Sequence, residues 1–189
     1  MDKRVLALSS GRAFEKEVFG FTVDWFSSSS VERLGFEEAI QRVIQDNWVR
    51  VAEITALGAS RIYDPTKPRR GKTGHIWKAV KKHLPEEVDD RESLLSLYVT
   101  LGTSLDIHYG IDAFFWWEGV HVAWDLSLRQ KKKDAENRKD SLTADFVVTP
   151  SDLRGYGLDR LGLKMASRLV GRRNDVLGVT QKINKIRWV

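Results

Sequence analysis

Two aspartates carry the chemistry this sequence is best equipped for. Asp112 lies in Gly110-Ile-Asp112-Ala-Phe-Phe-Trp-Trp117 and Asp125 in Val120-His-Val-Ala-Trp-Asp125-Leu-Ser127-Leu128, two strand-like runs separated only by Glu118-Gly119. If Glu118-Gly119 is the turn of a two-residue hairpin, Trp117 faces Val120, and counting back along both strands sets Asp112 opposite Asp125. Directly opposed like charges destabilise a sheet. Such a pair calls for a compensating cation, most economically a divalent metal that prefers oxygen ligands. The alternatives are two strand-end aspartates that meet only water or lysines, and a longer loop that offsets the register.

The elements around the pair follow from periodicity. Alternation places Ile111, Ala113, Phe115 and Trp117 on one face with Val120, Val122, Trp124 and Leu126, an apolar surface suited to a core. The other face carries both aspartates with Phe114, Trp116, His121 and Ala123, so the acids are expected to be partly desolvated. Upstream, Ser29-Ser-Val-Glu32 reads as a capping box, and Leu34, Ile40, Val43, Ile44, Trp48, Val51, Ile54 and Leu57 extend a helical stripe to Gly58. Asp64 to Gly74 has the composition of an exposed loop, and a short basic helix, His75 to Leu84, follows it. Glu92 to Leu101 fits helix or strand; we read it as helix because it runs into Gly102-Thr-Ser.

Beyond the hairpin, Gln130 to Lys139 reads as a polar helix or connection, long enough to return Thr143 to Thr149 as a strand parallel to one of the hairpin. Thr149-Pro-Ser-Asp152 opens a further helix, whose stripe Leu158, Leu161, Met165 and Leu169 ends at Gly171. The order helix, strand, strand, helix, strand, helix implies an α/β sandwich with a small mixed sheet flanked by helices.

At 189 residues with 42% hydrophobic residues, one domain is expected. Within it, 1–91 reads as a helical region with a basic loop, 92–171 as the α/β core and 172–189 as a basic tail. The absence of cysteine excludes a disulfide framework and a thiolate metal site, leaving oxygen and imidazole as ligands and fitting a cytoplasmic setting. The apolar run at the N-terminus is too short for a signal peptide, and none elsewhere approaches a membrane span.

Net charge is +5, with 31 Lys and Arg against 26 Asp and Glu, and the excess is segregated. Lys67 to Lys82 contains Arg69, Arg70 and Lys72 and no acid; Arg129 to Lys139 holds Lys131, Lys132 and Lys133; the tail holds Arg172 and Arg173. Three basic runs favour a polyphosphate partner, although each alone also suits a solvated helix face. Trp77, inside the first run, is a candidate for stacking on a base or for the core.

The residues Gly110-Ile-Asp112, Val122-Ala-Trp-Asp125-Leu-Ser127, the helix after them and Asp145-Phe-Val-Val148 resemble the PD-(D/E)XK nuclease superfamily over roughly residues 92 to 171. The resemblance implies a restriction-endonuclease-like sandwich and an Mg²⁺- or Mn²⁺-dependent nuclease, a hydrolase of DNA phosphodiester bonds. It maps the two acids onto Asp112 and Asp125 and a metal-binding backbone carbonyl onto Leu126; Asp106, just before that strand, is an outer ligand or only a loop cap. The motif lysine is replaced by Ser127, and Lys131 on the following segment is the nearest substitute. A first-helix acid falls on Glu15 or Glu38, between which the sequence does not choose. Arg69, Arg70, Lys72, Lys132, Lys133, Arg172 and Arg173 are the expected nucleic-acid contacts, and a homodimer would suit cleavage of two strands.

Other chemistries lack their motifs. His108 and His121 are isolated and without zinc-site spacing. Arg70-Gly-Lys-Thr73 ends like a phosphate-binding loop but lacks the upstream glycine and the preceding apolar strand. The competing readings are a non-catalytic nucleic-acid-binding protein with a degenerate nuclease fold, and an interaction protein whose charge runs are solvated faces.

Overall fold

The computed structural model of the chain describes residues 11–20, 31–56, 63–69, 71–85, 95–128 and 144–186. Helices α1 (Gly11–Phe19), α2 (Phe36–Ala56) and α3 (Thr73–Lys81) precede strand β1 (Ser96–Val99), the short helix α4 (Ser104–Tyr109) and strands β2 (Ala113–Trp117) and β3 (Val120–Leu126); β4 (Phe146–Val148) and the long helix α5 (Tyr156–Ile186) follow. The four strands form one mixed sheet in the order β1-β2-β3-β4. β1 and β2 pair antiparallel, as do β2 and β3. β4 runs parallel to β3 from Trp124↔Phe146 to Leu126↔Val148, as the long connection requires.

Both faces of the sheet are covered, which makes three layers of α/β/α. Ala113, Phe115, Trp117, Val122 and Trp124 pack against Phe14 and Val18 of α1, Ile76 and Val80 of α3, and Leu161, Met165 and Leu169 of α5. Tyr98, Phe114 and Ala123, on the other face, pack against Ala39, Ile40 and Val43 of α2 and Leu105 of α4. The hairpin alternation therefore holds. Ile111 departs from it and joins the second face, because β2 begins only at Ala113 and the two-residue period does not reach back that far.

Several expected boundaries are corrected. Glu92 to Leu101 does not form a helix in its described part: Ser96–Val99 is a strand with Ser96, Leu97 and Tyr98 buried, because pairing with β2 satisfies its backbone and both sheet faces bury its side chains. The helix expected from Ser29 begins at Phe36. Val31 to Gly35 instead runs along α4, where the Ser104 hydroxyl oxygen accepts from the Leu34 N–H (3.1 Å) and the Tyr109 hydroxyl donates to the Leu34 carbonyl (2.7 Å). Thr149 to Asp152 is a turn rather than a helix start. Its Asp152 carboxylate accepts from the Thr149 N–H (2.9 Å) and hydroxyl (2.6 Å), and α5 waits until Tyr156. Gly171 does not end α5, which continues to Ile186; nothing lies within 4 Å of the position a Cβ would take there. The basic tail is thus the second half of that helix up to Ile186. No helix among the described residues is long and apolar enough to cross a membrane.

Candidate active site

The turn that sets the register is the expected one. Glu118 (φ 48°) and Gly119 (φ 82°) are both left-handed, as a type I′ hairpin needs, and pairing runs from Trp117↔Val120 to Ala113↔Trp124. The left-handed region costs a non-glycine residue about 1–2 kcal/mol. Arg173 of α5 offsets this by ion pairing with Glu118 while its guanidinium lies 5.0 Å from the Trp117 ring centroid.

One step beyond Ala113↔Trp124, Asp112 meets Asp125. The Asp112 backbone is pinned from both sides, its N–H donating to the Trp124 carbonyl (3.1 Å) and its carbonyl accepting from the Thr100 N–H (2.9 Å). β3 extends past the point where β2 starts, so the Leu126 N–H finds no strand carbonyl there. Asp112 Oδ2 accepts it at 2.7 Å. The Asp112 and Asp125 side chains are in hydrogen-bond contact, and Asp112 is only 7% exposed.

Two further acids face this pair. Asp106 comes from the first turn of α4 and accepts the Gly102 N–H at 2.7 Å; Glu15 comes from the middle of α1. Burial pushes the Asp112 carboxyl up, the charge of Asp125 adds to this, and the Leu126 N–H opposes it; Asp106 and Glu15 raise it further. Asp125 is raised chiefly by burial, against its bond to Asp112, with Asp106 adding repulsion. Asp106 is raised by burial. Glu15 is raised by burial and by Asp106 and Asp125, and lowered by Arg12 one turn before it. Four carboxylates from four elements thus share one field, and each raises the cost of ionising another. Such a cluster can hold a proton between two carboxyls or bind a hard cation.

The sequence-predicted residues divide as follows. Asp112 and Asp125 meet, and Asp106 and Glu15 stand within range of their charge. Glu38 is exposed on α2 and is not among the charges that act on the pair, so it drops out. Leu126 is in place beside Asp112. Ser127, at the motif-lysine position, donates its N–H to the Val148 carbonyl (2.9 Å). Lys131, Lys132, Lys133 and Arg70 lie outside the described residues. Arg12 was missed; its signal is the helical spacing Arg12…Glu15, meaningful only once α1 is known.

The expected nucleic-acid contacts also divide. Arg172 makes two bonds to Asp145, at 2.6 and 2.9 Å, and donates to the His121 carbonyl, clamping α5 to the sheet. Arg173 is held at Glu118, and Lys72 is ion-paired with Glu17. These three are committed to the fold. Arg69 lines an open groove with Lys67 and Lys78. Trp77 is fixed by donation to the Leu95 carbonyl (2.8 Å), with Lys81 4.9 Å from its ring centroid. His108 is in hydrogen-bond contact with the Val31 carbonyl (3.0 Å), and His121 stacks on Trp116, so neither joins the acids.

Among the described residues, no group of three or more His, Asp or Glu side chains is arranged so that it could hold a metal ion. The chain matches no protein-family model, no curated protein and no solved structure.

Proposed function

We propose that this protein is a divalent-metal-dependent nuclease that hydrolyses phosphodiester bonds in DNA, with Asp112 and Asp125 at its centre and a restriction-endonuclease-like core around them. The observation that carries the reading is the meeting of buried Asp112 with half-buried Asp125 across one hairpin, with Glu15 and Asp106 within range of their charge. The donor set fits Mg²⁺ or Mn²⁺, since Mg²⁺ binds through one or two carboxylates, keeps several waters and takes substrate phosphates, and needs no complete protein cage. Asp112 and Asp125 would hold the ion. The Leu126 carbonyl would assist, because in an extended strand N–H and C=O of one residue point to the same neighbour, and the Leu126 N–H points at Asp112. Bound there, the cation would neutralise charge on a scissile phosphate and acidify a water.

The remaining residues have roles of their own. Glu15, held above the usual carboxylate range, is suited to accept a proton from an attacking water. Arg12, one turn before Glu15, supplies positive charge at the edge of the cluster in the absence of the motif lysine, and Lys131 is the alternative source. Asp106 orients the Gly102 loop and the waters around the site.

The test is incubation of labelled linear and circular DNA with Mg²⁺, Mn²⁺ or EDTA. Cleavage is expected only with metal, to fall at least 100-fold in Asp112→Asn and in Asp125→Asn, and to persist in Glu38→Gln. Cleavage in EDTA, or wild-type rates in either aspartate variant, would refute the assignment. Ser127 at the lysine position favours a second reading, a degenerate nuclease that binds nucleic acid and cuts nothing; it predicts intact DNA under every metal condition.

A further inference from the structure

The basic side chains of this fold are of two kinds. Lys72 is paired with Glu17, Lys82 with Asp159, Arg172 with Asp145 and Arg173 with Glu118. Lys67, Arg69 and Lys78 have no carboxylate partner among the described residues. These three line one groove of about 480 Å³ with His75 and Trp77, and no acid contributes to its wall. Like charges gathered in a concavity repel one another and focus a positive field that only an anion relieves.

The groove is built rather than incidental. Gly71 is left-handed (φ 52°), and a Cβ there would drive into the Val18 carbonyl; a Cβ on Gly74 would lie 2.6 Å from the Pro68 carbonyl. The Lys72 N–H donates to the Val18 carbonyl at 2.7 Å, so the loop is pressed onto the C-terminal end of α1. The Trp77 indole, tied to the Leu95 carbonyl, is a fixed wall. A volume of 480 Å³ lies in the range that takes nucleotide-sized ligands, far more than a single oxyanion fills. The helix that anchors the loop at Val18 also carries Glu15 into the acid cluster, a separation of three residues or about 4.5 Å along the axis.

We infer that the groove docks the sugar–phosphate backbone of a nucleic-acid strand through Lys67, Arg69 and Lys78, independently of divalent metal and of base sequence. The inference rests on the nuclease reading only in choosing nucleic acid among phosphate esters.

The test is fluorescence anisotropy in EDTA with a 20-nucleotide strand and the matching duplex, at several salt concentrations. Combined Lys67→Gln, Arg69→Gln and Lys78→Gln is expected to weaken binding at least tenfold. It should also flatten the slope of log affinity against log salt by about 2 to 3, since each lost phosphate contact removes about 0.7 to 0.9. A charge-matched control, Arg33→Gln, Arg42→Gln and Lys82→Gln, should retain the wild-type slope. Equal loss in the control, unchanged affinity in the groove variant with its melting temperature preserved, or displacement of the strand by inorganic phosphate or a mononucleotide at equal phosphate concentration would each overturn the inference. Binding in EDTA is read apart from cleavage in Mg²⁺, so loss of cutting in the aspartate variants with affinity intact would leave it standing, and a non-cutting protein that binds through the groove would fail only the nuclease reading.

Discussion

Without a cation, Asp112 and Asp125 should make this fold lose stability as pH rises. Burial and mutual repulsion push Asp112 up to about 8 and Asp125 to about 6, against 3.8 for a free aspartate. Between pH 6 and 8 the folded pair therefore keeps about one proton that the unfolded chain has already released. Each pH unit then removes about 1.4 kcal/mol, or about 3 kcal/mol across the window. In a chain of this size 1 kcal/mol moves the midpoint by about 2–4 °C, so wild type should lose about 3–5 °C per pH unit. Asp112→Asn keeps an oxygen for the Leu126 N–H but cannot share the proton, so its melting temperature should depend on pH less steeply by that amount. The assay is thermal melting of both proteins in EDTA from pH 5.5 to 8, read as the difference between them, which cancels the other titrating groups. Saturating Mg²⁺ replaces the proton, so it should stabilise wild type more at pH 8 than at pH 6 and leave the variant nearly unmoved. Parallel pH profiles in EDTA, or wild type gaining on the variant as pH rises, would refute the account of the cluster.

Arg172→Met strips the two-pronged partner from Asp145, whose side chain is 8% exposed, and should cost about 3 kcal/mol in urea unfolding; a loss under 1 kcal/mol would mean Arg168 alone suffices. Gly162→Ala places a Cβ 2.5 Å from the Ala79 carbonyl, where α5 crosses α3. It should lower the melting temperature by the equivalent of about 1–3 kcal/mol despite alanine's better helix propensity, and a rise would contradict the close approach. Trp77→Phe removes the bond to the Leu95 carbonyl and should cost about 1 kcal/mol by denaturant midpoint, while a neutral result would show that water satisfies the Leu95 carbonyl in place of the indole N–H.

The hairpin was legible because its information is local: period-two alternation, a two-residue gap and a glycine able to take a positive φ determine register without any distant contact. The meeting of Asp112 with Asp125 follows from that register alone. Glu15 and Glu38 could not be separated in sequence, because the choice depends on where each helix is docked along the sheet. Glu15 of α1 comes within the field of Asp106 and Asp125, whereas Glu38 is left exposed on α2. β1 was misread for the same kind of reason, since Ser96 to Val99 owes its extended form to pairing with β2 and not to its own periodicity. Gly171 misled in the other direction. A glycine ends a helix when the chain needs a left-handed residue there, and α5 has no such need, being held past that point by Arg172 and Arg173.

The pattern of pairing is itself an argument for function. Several acids of this fold come with a cation: Asp145 has Arg172 and Arg168, Glu118 has Arg173, Glu17 has Lys72, and Asp159 has Lys82 and His83. Glu15, Asp106, Asp112 and Asp125 chiefly face one another, and the cation whose field reaches them among the described residues is Arg12, at Glu15. A buried carboxyl pair that only braced the sheet would be better replaced by amides or apolar groups of the same shape, which avoid the cost of desolvating a charge. The acids sit beside α1, and three cations without a carboxylate partner among the described residues, Lys67, Arg69 and Lys78, sit in the groove whose loop is fastened to that same helix. A polyphosphate strand accompanied by a divalent ion would neutralise both sets at once. Neither partner alone would do so, and that complementarity is the physical reason to read the two regions as parts of one machine.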